Sequence, residues 1–76
     1  MSRLAQVKCR ELERVAKKLG FVLDHQTGSH AVYRREIDKR RAVIPIHHGR
    51  AMKIRTVHGV LKDLGITPEE FLRLAK

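Results

Sequence analysis

The sequence predicts a small α+β domain in which helices cover one face of a three-stranded antiparallel sheet. Apolar residues recur at helical spacing near both ends of the chain, and a glycine follows each of the two longer runs. Three short β-prone segments lie between these runs. The turns between these segments are too short for a parallel crossover, so neighbouring strands pair antiparallel. The 76 residues suffice for one domain, spanning residues 1–76.

The first predicted helix has apolar residues at intervals of three and four, which places them on one helical face. Gly20 follows as its C-terminal cap. Cys9, the single cysteine, falls in this pattern and is expected to be a small, half-buried packing residue. The apolar positions are Leu12, Val15, Ala16 and Leu19, with Val7 extending the pattern backwards.

Three strands are predicted next. Residues 21–23 form a short first strand, and residues 26–29 form a turn. The second strand begins at His30, and residues 37–39 form a hairpin loop. The third strand covers residues 42–46, where a proline suits a sheet edge or a strand end. Alternation along the second strand puts His30, Val32 and Arg34 on one face, and Ala31, Tyr33 and Arg35 on the other.

Two more helices complete the predicted fold. The second helix ends at Gly65, and its apolar face is formed by Ile54, Val57, Leu61 and Leu64. The last, short helix has Thr67 as N-cap, Pro68 at its first position and Glu70 completing a capping box. Phe71 and Leu74 are expected to anchor it to the core.

The charge is strongly positive and unevenly distributed. The formal net charge is +9, with a pI of about 10.7. Residues 25–62 contain nine Lys or Arg but only two acidic residues. This local excess favours a polyanion or an acidic protein as partner. The single cysteine excludes an internal disulfide, and no signal peptide or long apolar segment is seen, so we expect a cytoplasmic protein without membrane contact.

Four arginines flank the second predicted turn, Arg34-Arg35 before it and Arg40-Arg41 after it. Like charges facing each other across strands destabilise a sheet by about 0.2–1 kcal/mol per pair. Stability alone therefore does not favour four arginines here, whereas an anionic ligand gives them a use. The alternative is a solvated hairpin whose arginines splay into water.

The start of the second helix is also basic. Arg50, Lys53 and Arg55 lie near its first turn, where free backbone amides and the positive end of the helix dipole favour an anion. Basic side chains are unfavourable at this positive end of the helix dipole. A bound phosphate would neutralise their charge and accept hydrogen bonds from the free amides. We expect phosphate contacts here.

Five histidines are present, but none of the pairs has the helical i, i+4 spacing of a zinc site, so we expect no metal. His25 is expected in a loop and His58 on an exposed helix face. His47 and His48 are adjacent and should point in opposite directions. His30 follows Gly28 and Ser29, and its imidazole can accept a proton near neutral pH. From the residues alone, a strand-end histidine bonded to its own loop stays the simpler interpretation.

Short motifs in order along the chain change that interpretation. They are Gly20-Phe21, Gly28-Ser29-His30, Pro45-Ile46-His47, the helix from Thr56 to Gly65, and the tail from Ile66 to Leu72. In this order and spacing the sequence resembles the HicA family of toxins, also called YcfA-like. Two positions depart from the family's pattern: His25 stands where an Arg is common, and Arg55 where a Gly usually precedes the Thr. These departures concern nuclease strength rather than membership.

The resemblance implies a fold like that of double-stranded RNA-binding domains, which the order of elements also suggests. It implies metal-independent cleavage of mRNA with His30 as catalytic residue and no cofactor. It further implies a HicB-type antitoxin that covers the site and, with the toxin, regulates its own promoter; DNA would be bound only through that complex.

The predicted function is therefore an endoribonuclease, the mRNA-cleaving toxin of a type II toxin–antitoxin system. Two alternatives use the same charge: a non-catalytic RNA-binding module of the same fold, and an adaptor for an acidic protein. In the nuclease, His30 is the general base and His47 a possible second acid or base. Gly28 and Ser29 shape the loop, and the predicted RNA contacts are Arg34, Arg35, Arg50, Lys53 and Arg55.

Overall fold

The computed structural model describes residues 3–47 and 49–76. It has the predicted α+β class, with a helix, three antiparallel strands and then two helices. The elements are a 3₁₀ helix at Arg3–Gln6, α1 at Cys9–Lys18, β1 at Val22–Thr27, β2 at His30–Arg35, β3 at Arg40–Pro45, α2 at Ile54–Leu64 and α3 at Pro68–Leu74. None of the helices in these two ranges is long and apolar enough to cross a membrane.

The sheet has the order β1-β2-β3, so β1 and β3 are its edges and Pro45 lies at the end of an edge strand. Thr27 pairs with His30 and closes the first hairpin around a two-residue loop. Gly28 takes a positive φ of 55° in that loop, which glycine adopts at little steric cost. In the second hairpin Arg35 pairs with Arg40 across residues 36–39.

The helices cover one face of the sheet. Side chains that alternate toward this face, such as Tyr33 and Ile44, are fully buried in the same core as Leu12 of α1 and Val57 of α2. Each buried apolar side chain of this size contributes about 1.5–3 kcal/mol. Val32 alternates to the opposite face and lies outside that core cluster. Val22, Arg34 and Arg41 on this second face are exposed, and among residues 3–47 and 49–76 no helix packs on it.

Two features of the first half differ from the sequence prediction. β1 continues to Thr27, so His25 lies in a strand and not in a loop. The pairing register with β2 shifts between Leu23 and His25, so Asp24 forms a β-bulge. The bulge interrupts the in–out alternation of side chains, and the strand continues beyond it. Every residue of β1, which is an edge strand of the sheet, is exposed.

The start of α1 is also displaced. Val7 is buried but precedes the helix, since its carbonyl accepts a hydrogen bond from the Met52 amide (2.8 Å) and Lys8 forms a β-bridge with Ala51. These contacts hold the chain extended until Cys9, where α1 begins. The Cys9 thiol is fully rather than half buried.

The helical ends follow the predicted capping chemistry. Gly65 ends α2 in the left-handed conformation. Thr67 Oγ1 accepts a hydrogen bond from the Glu70 amide (3.1 Å), and the Glu70 carboxylate accepts one from the Thr67 amide (2.8 Å). Phe71 is fully buried and anchors α3, as predicted. The prediction for one residue of α2 was wrong: Ile54 is 44% exposed, whereas Val60, which was not predicted, belongs to the buried face.

Candidate active site

A pocket lies at the end of the sheet where β2 begins, β3 ends and α2 begins. Its volume is about 400 Å³. Two imidazoles, two cationic side chains and one hydroxyl line it, together with small and apolar residues. The lining residues are His30, Pro45, His47, Arg50, Ala51, Met52, Lys53 and Thr56.

The two histidines reach the pocket from different strands. His30 is the exposed first residue of β2 and pairs with Pro45, the last residue of β3. His47 follows β3 by two residues and is also exposed. The carbonyl of Ser29 accepts a hydrogen bond of 2.6 Å from the amide of Ile46. This bond ties the turn before His30 to the segment that carries His47.

The segment between β3 and α2 is held by backbone contacts. The Met52 amide donates to the Val7 carbonyl, and Met52 is itself buried. The Arg50 amide donates to the His47 carbonyl (3.3 Å), so one turn carries both side chains. His48, which was expected to point away from His47, lies outside the described residues.

The first turn of α2 completes the pocket. Lys53 is the N-cap and makes no side-chain cap, and the first turn contains no acidic residue. By contrast, α3 begins with a complete capping box. The first-turn amides of α2 are therefore open to an anion. Thr56 lines the pocket three residues after Lys53, on the same helical face. Sequence reasoning did not select Thr56 as a site residue, although this spacing points to it.

The other predicted RNA contacts lie outside the pocket. Arg55 is exposed in the first turn of α2 but does not line the cavity. Gly28 and Ser29 form the adjoining turn. Arg34 lies at the far end of β2, on the face without helices. The structure thus brings together His30, His47, Arg50 and Lys53.

Arg35 has a different environment from Arg34. Its guanidinium donates to both oxygens of Asp38 (3.1 and 2.9 Å) and to the Leu19 carbonyl (2.9 Å). It also lies 4.6 Å from the ring centroid of Phe21. The hydrogen bonds from Arg35 hold the pKa of Asp38 below its ordinary value. We assign Arg35 a role in joining the sheet to the end of α1.

The remaining histidines in the described residues lie away from the pocket. His25 Nδ1 is 2.8 Å from Asp24 Oδ2, on β1. His58 is exposed on α2 and does not line the cavity. Residues 3–47 and 49–76 contain no group of three or more side chains suited to hold a metal ion.

This arrangement suits acid–base chemistry on a phosphodiester. An exposed imidazole can take or give a proton near neutral pH. Arg50 and Lys53 can neutralise phosphate oxygens, and the open amides of α2 can donate to them. The pocket is open to a large substrate because both histidines are exposed.

Comparison with protein families identifies the same group of proteins as the sequence motifs. Residues 9–66 match the family described as the HicA toxin of bacterial toxin–antitoxin systems. The chain belongs to the HicA toxin family. The match runs from the first residue of α1 to just beyond α2 and includes every residue that lines the pocket. A search of curated protein sequences gives no significant match. The resemblance inferred from the motifs is thereby confirmed, and the toxin role follows from the family.

Proposed function

We propose that this HicA-family toxin is an endoribonuclease that cleaves mRNA with His30 as general base. The observation that carries the proposal is the convergence of His30, His47, Arg50 and Lys53 on one pocket of about 400 Å³. These groups come from two separate segments of the chain, the start of β2 and the segment that joins β3 to α2. Packing alone does not require two exposed imidazoles beside two exposed cations.

The proposed reaction is an internal transfer at phosphorus. Neutral His30 takes the proton of a ribose 2′-hydroxyl, and the 2′-oxygen attacks the adjacent phosphorus. The bond from phosphorus to the 5′-oxygen breaks, and protonated His47 gives a proton to that leaving oxygen. The products are a 2′,3′-cyclic phosphate and a 5′-hydroxyl, so atoms and charges balance, and the step needs no metal or cofactor.

The cations and the turn have supporting roles in this mechanism. Arg50 and Lys53 bind the non-bridging phosphate oxygens, where negative charge increases in the transition state. Arg55 contacts a neighbouring phosphate at the rim. Gly28 and Ser29 shape the turn that positions His30, through the hydrogen bond from Ile46 to Ser29 (2.6 Å).

A HicB-type antitoxin is the proposed protein partner, and it would cover this pocket. The positive charge of the toxin suits an acidic surface on the antitoxin. Promoter DNA would be bound only by the complex of the two proteins. Both the target mRNA and this partner place the activity in the cytoplasm.

The first test compares RNA cleavage by the purified protein with that of two single-histidine variants. We expect His30→Ala to lower the cleavage rate by about 10²–10⁴-fold, the usual contribution of a general base. His58→Ala is the matched control, because His58 is exposed and does not line the pocket. A substrate with a 2′-deoxyribose at the cleavage site should not be cut. Binding without any cleavage by the parent protein would favour the non-catalytic RNA-binding module.

A second test separates the roles of the two histidines. RNA with a 5′-sulfur at the scissile phosphate has a leaving group that departs without a proton. His47→Ala should therefore cleave this substrate nearly as fast as the parent, whereas His30→Ala should not. Equal defects of both variants on the sulfur substrate would contradict the assigned roles. In growing cells, expression of His30→Ala should leave growth unaffected while the parent arrests it.

A further inference from the structure

The β2–β3 hairpin carries two pairs of arginines that face each other across the strands. One pair has hydrogen-bonding partners for its side chains within the part of the chain that the structure describes, and the other does not. Arg35 pairs with Arg40 on the face that packs against the helices. Arg35 is held by Asp38 and the Leu19 carbonyl. Arg40 donates to the Asp63 carbonyl (3.1 Å) and lies 3.8 Å from Asp38. This inner pair is stabilised by the protein itself.

The outer pair, Arg34 and Arg41, is not stabilised by polar side-chain contacts within the described part of the chain. Arg34 pairs with Arg41 on the opposite face of the sheet, and both side chains are exposed. Neither makes a side-chain hydrogen bond or ion pair with any other residue in the ranges 3–47 and 49–76. On the other side of Arg34 the paired residue is Val22, which supplies no countercharge. Two unneutralised guanidinium groups side by side fit an anionic ligand.

The surface without helices, which we call the open face, links this pair to the pocket. It consists of three rows across the sheet: Val22, Arg34 and Arg41; His25, Val32 and Val43; Thr27, His30 and Pro45. His30 and Pro45 belong to both the open face and the pocket. Arg34 is four residues from His30 along β2, or about 13 Å at the rise of a strand.

The middle row offers one side chain that can stack on a base. Val32 is only 5% exposed and Val43 is half-buried, so these two residues present little surface. His25, which pairs with Val32 on the edge strand, is exposed. An exposed imidazole can stack with an unpaired base.

We propose that the RNA strand cleaved in the pocket continues across the open face and that the Arg34–Arg41 pair binds a phosphate of the same strand. The separation of about 13 Å matches roughly four nucleotides at the stacked rise of about 3.4 Å, and fewer in an extended strand. This inference rests on the proposed nuclease. RNA is favoured over an acidic protein segment because the open face is continuous, through His30 and Pro45, with the pocket proposed to cleave RNA.

The test is the dependence of cleavage on RNA length. Two series of oligonucleotides share one cleavable step and grow from two to eight nucleotides, one on the 5′ side and one on the 3′ side. For the parent protein, kcat/KM should rise with length in one series and level off once the strand reaches the arginine pair. In the double variant Arg34→Gln/Arg41→Gln, the ratio of kcat/KM for the octamer to that for the dinucleotide should fall toward one.

Salt dependence gives a second readout. Losing the contact with this one phosphate should reduce the slope of log kcat/KM against log salt by about 0.7 for the octamer. The matched control is Arg10→Gln/Arg14→Gln, which removes the same charge from exposed positions on α1. This control should keep the parent's ratio of kcat/KM for the octamer to that for the dinucleotide. It should also keep most of the slope of log kcat/KM against log salt. An unchanged ratio in the Arg34/Arg41 variant would overturn the inference, as would a defect confined to antitoxin binding.

Binding of the same strands, with a 2′-deoxyribose at the cleavable step, is measured in parallel. Length-dependent binding that needs Arg34 and Arg41, without any cleavage of the ribose strands, would refute the nuclease and uphold the strand path. Cleavage that is independent of length would uphold the nuclease and refute the strand path.

Discussion

Tyr33 joins the sheet to the first helix, and replacing it with phenylalanine removes one defined interaction. Its hydroxyl donates a hydrogen bond of 2.6 Å to Glu13 Oε2 on α1. The side chain is only 1% exposed, so its ring is packed in the core. Tyr33→Phe keeps that packing and loses only the hydroxyl. The variant therefore measures the bond between sheet and helix.

The expected loss follows from the charge and burial of the acceptor. Hydrogen bonds to charged groups contribute about 1.5–3 kcal/mol. Glu13 is half-buried, so water can reach the freed carboxylate and the loss should lie in the lower part of this range. We expect the free energy of unfolding to fall by about 1.5–2 kcal/mol. For a domain of this size the melting temperature should then fall by about 6–16 °C.

The same bond predicts a pH dependence. Burial, and then the hydrogen bond to Glu13, raise the pKa of Tyr33 well above its ordinary value. The protonated phenol therefore stabilises the fold, fully so below the unfolded pKa of about 10. Above that pH the unfolded chain holds fewer protons, so the free energy of unfolding falls by up to about 1.4 kcal/mol per pH unit. Tyr33→Phe lacks this loss, so the difference between the two proteins should shrink as pH rises above 10.

Urea denaturation followed by circular dichroism, at pH 7 and between pH 9 and 11, measures both effects. The chain has no tryptophan, so fluorescence is the weaker probe. Glu13→Gln is the control, because its amide oxygen can still accept the hydrogen bond. Equal stability of Tyr33→Phe and the parent at pH 7 would show that the hydrogen bond to Glu13 does not stabilise the fold. A difference that grows with pH would refute its electrostatic part.

Other substitutions test the core, the helix end and the outer arginines by urea denaturation. Phe71→Ala should cost about 3–5 kcal/mol, because the side chain is fully buried; Phe71→Leu should cost clearly less. Gly28→Ala and Gly65→Ala both place an alanine at positive φ (55° and 79°), which should cost about 1–2 kcal/mol at each site; Gly65→Ala should cost more, because only there does the new Cβ meet a neighbour, the Arg40 guanidinium at 3.1 Å. Arg41→Gln should stabilise by about 0.2–1 kcal/mol by removing a like-charge pair. A loss of stability with Arg41→Gln, or equal costs at the two glycines, would contradict these explanations.

Local patterns predicted most of the fold. The three-four spacing identified the buried face of α1, where Leu12, Val15 and Ala16 are fully buried. The capping box at Thr67 was equally readable, because the interacting groups are three residues apart. Both signals depend on neighbours in sequence, which is why the sequence alone contains them.

Non-local contacts caused the errors. Val7 fits the helical pattern, but its backbone pairs with Met52 far along the chain, and nothing near it in sequence records this. His25 follows a bulge that only the pairing with β2 reveals. The extra residue shifts the alternation, so a simple period of two does not extend across it.

The candidate site was predictable in part. Family motifs and charge pointed to His30, Arg50 and Lys53, which line one pocket. The alternation of side chains along β2 also placed Arg34 and Arg35 on opposite faces of the sheet. The sequence did not indicate which of the two faces the helices would cover, so it could not show that Arg35 donates to the Leu19 carbonyl at the end of α1.

The proposed cleavage depends on an imidazole at position 30 that accepts the proton of the ribose hydroxyl. The most direct measurement is the RNA cleavage rate of His30→Ala as imidazole is added to the solution. We predict almost no cleavage without imidazole, and a rate that rises with the concentration of its neutral form. Cleavage by His30→Ala at the rate of the His58→Ala control, without added imidazole, would show that His30 is not the general base.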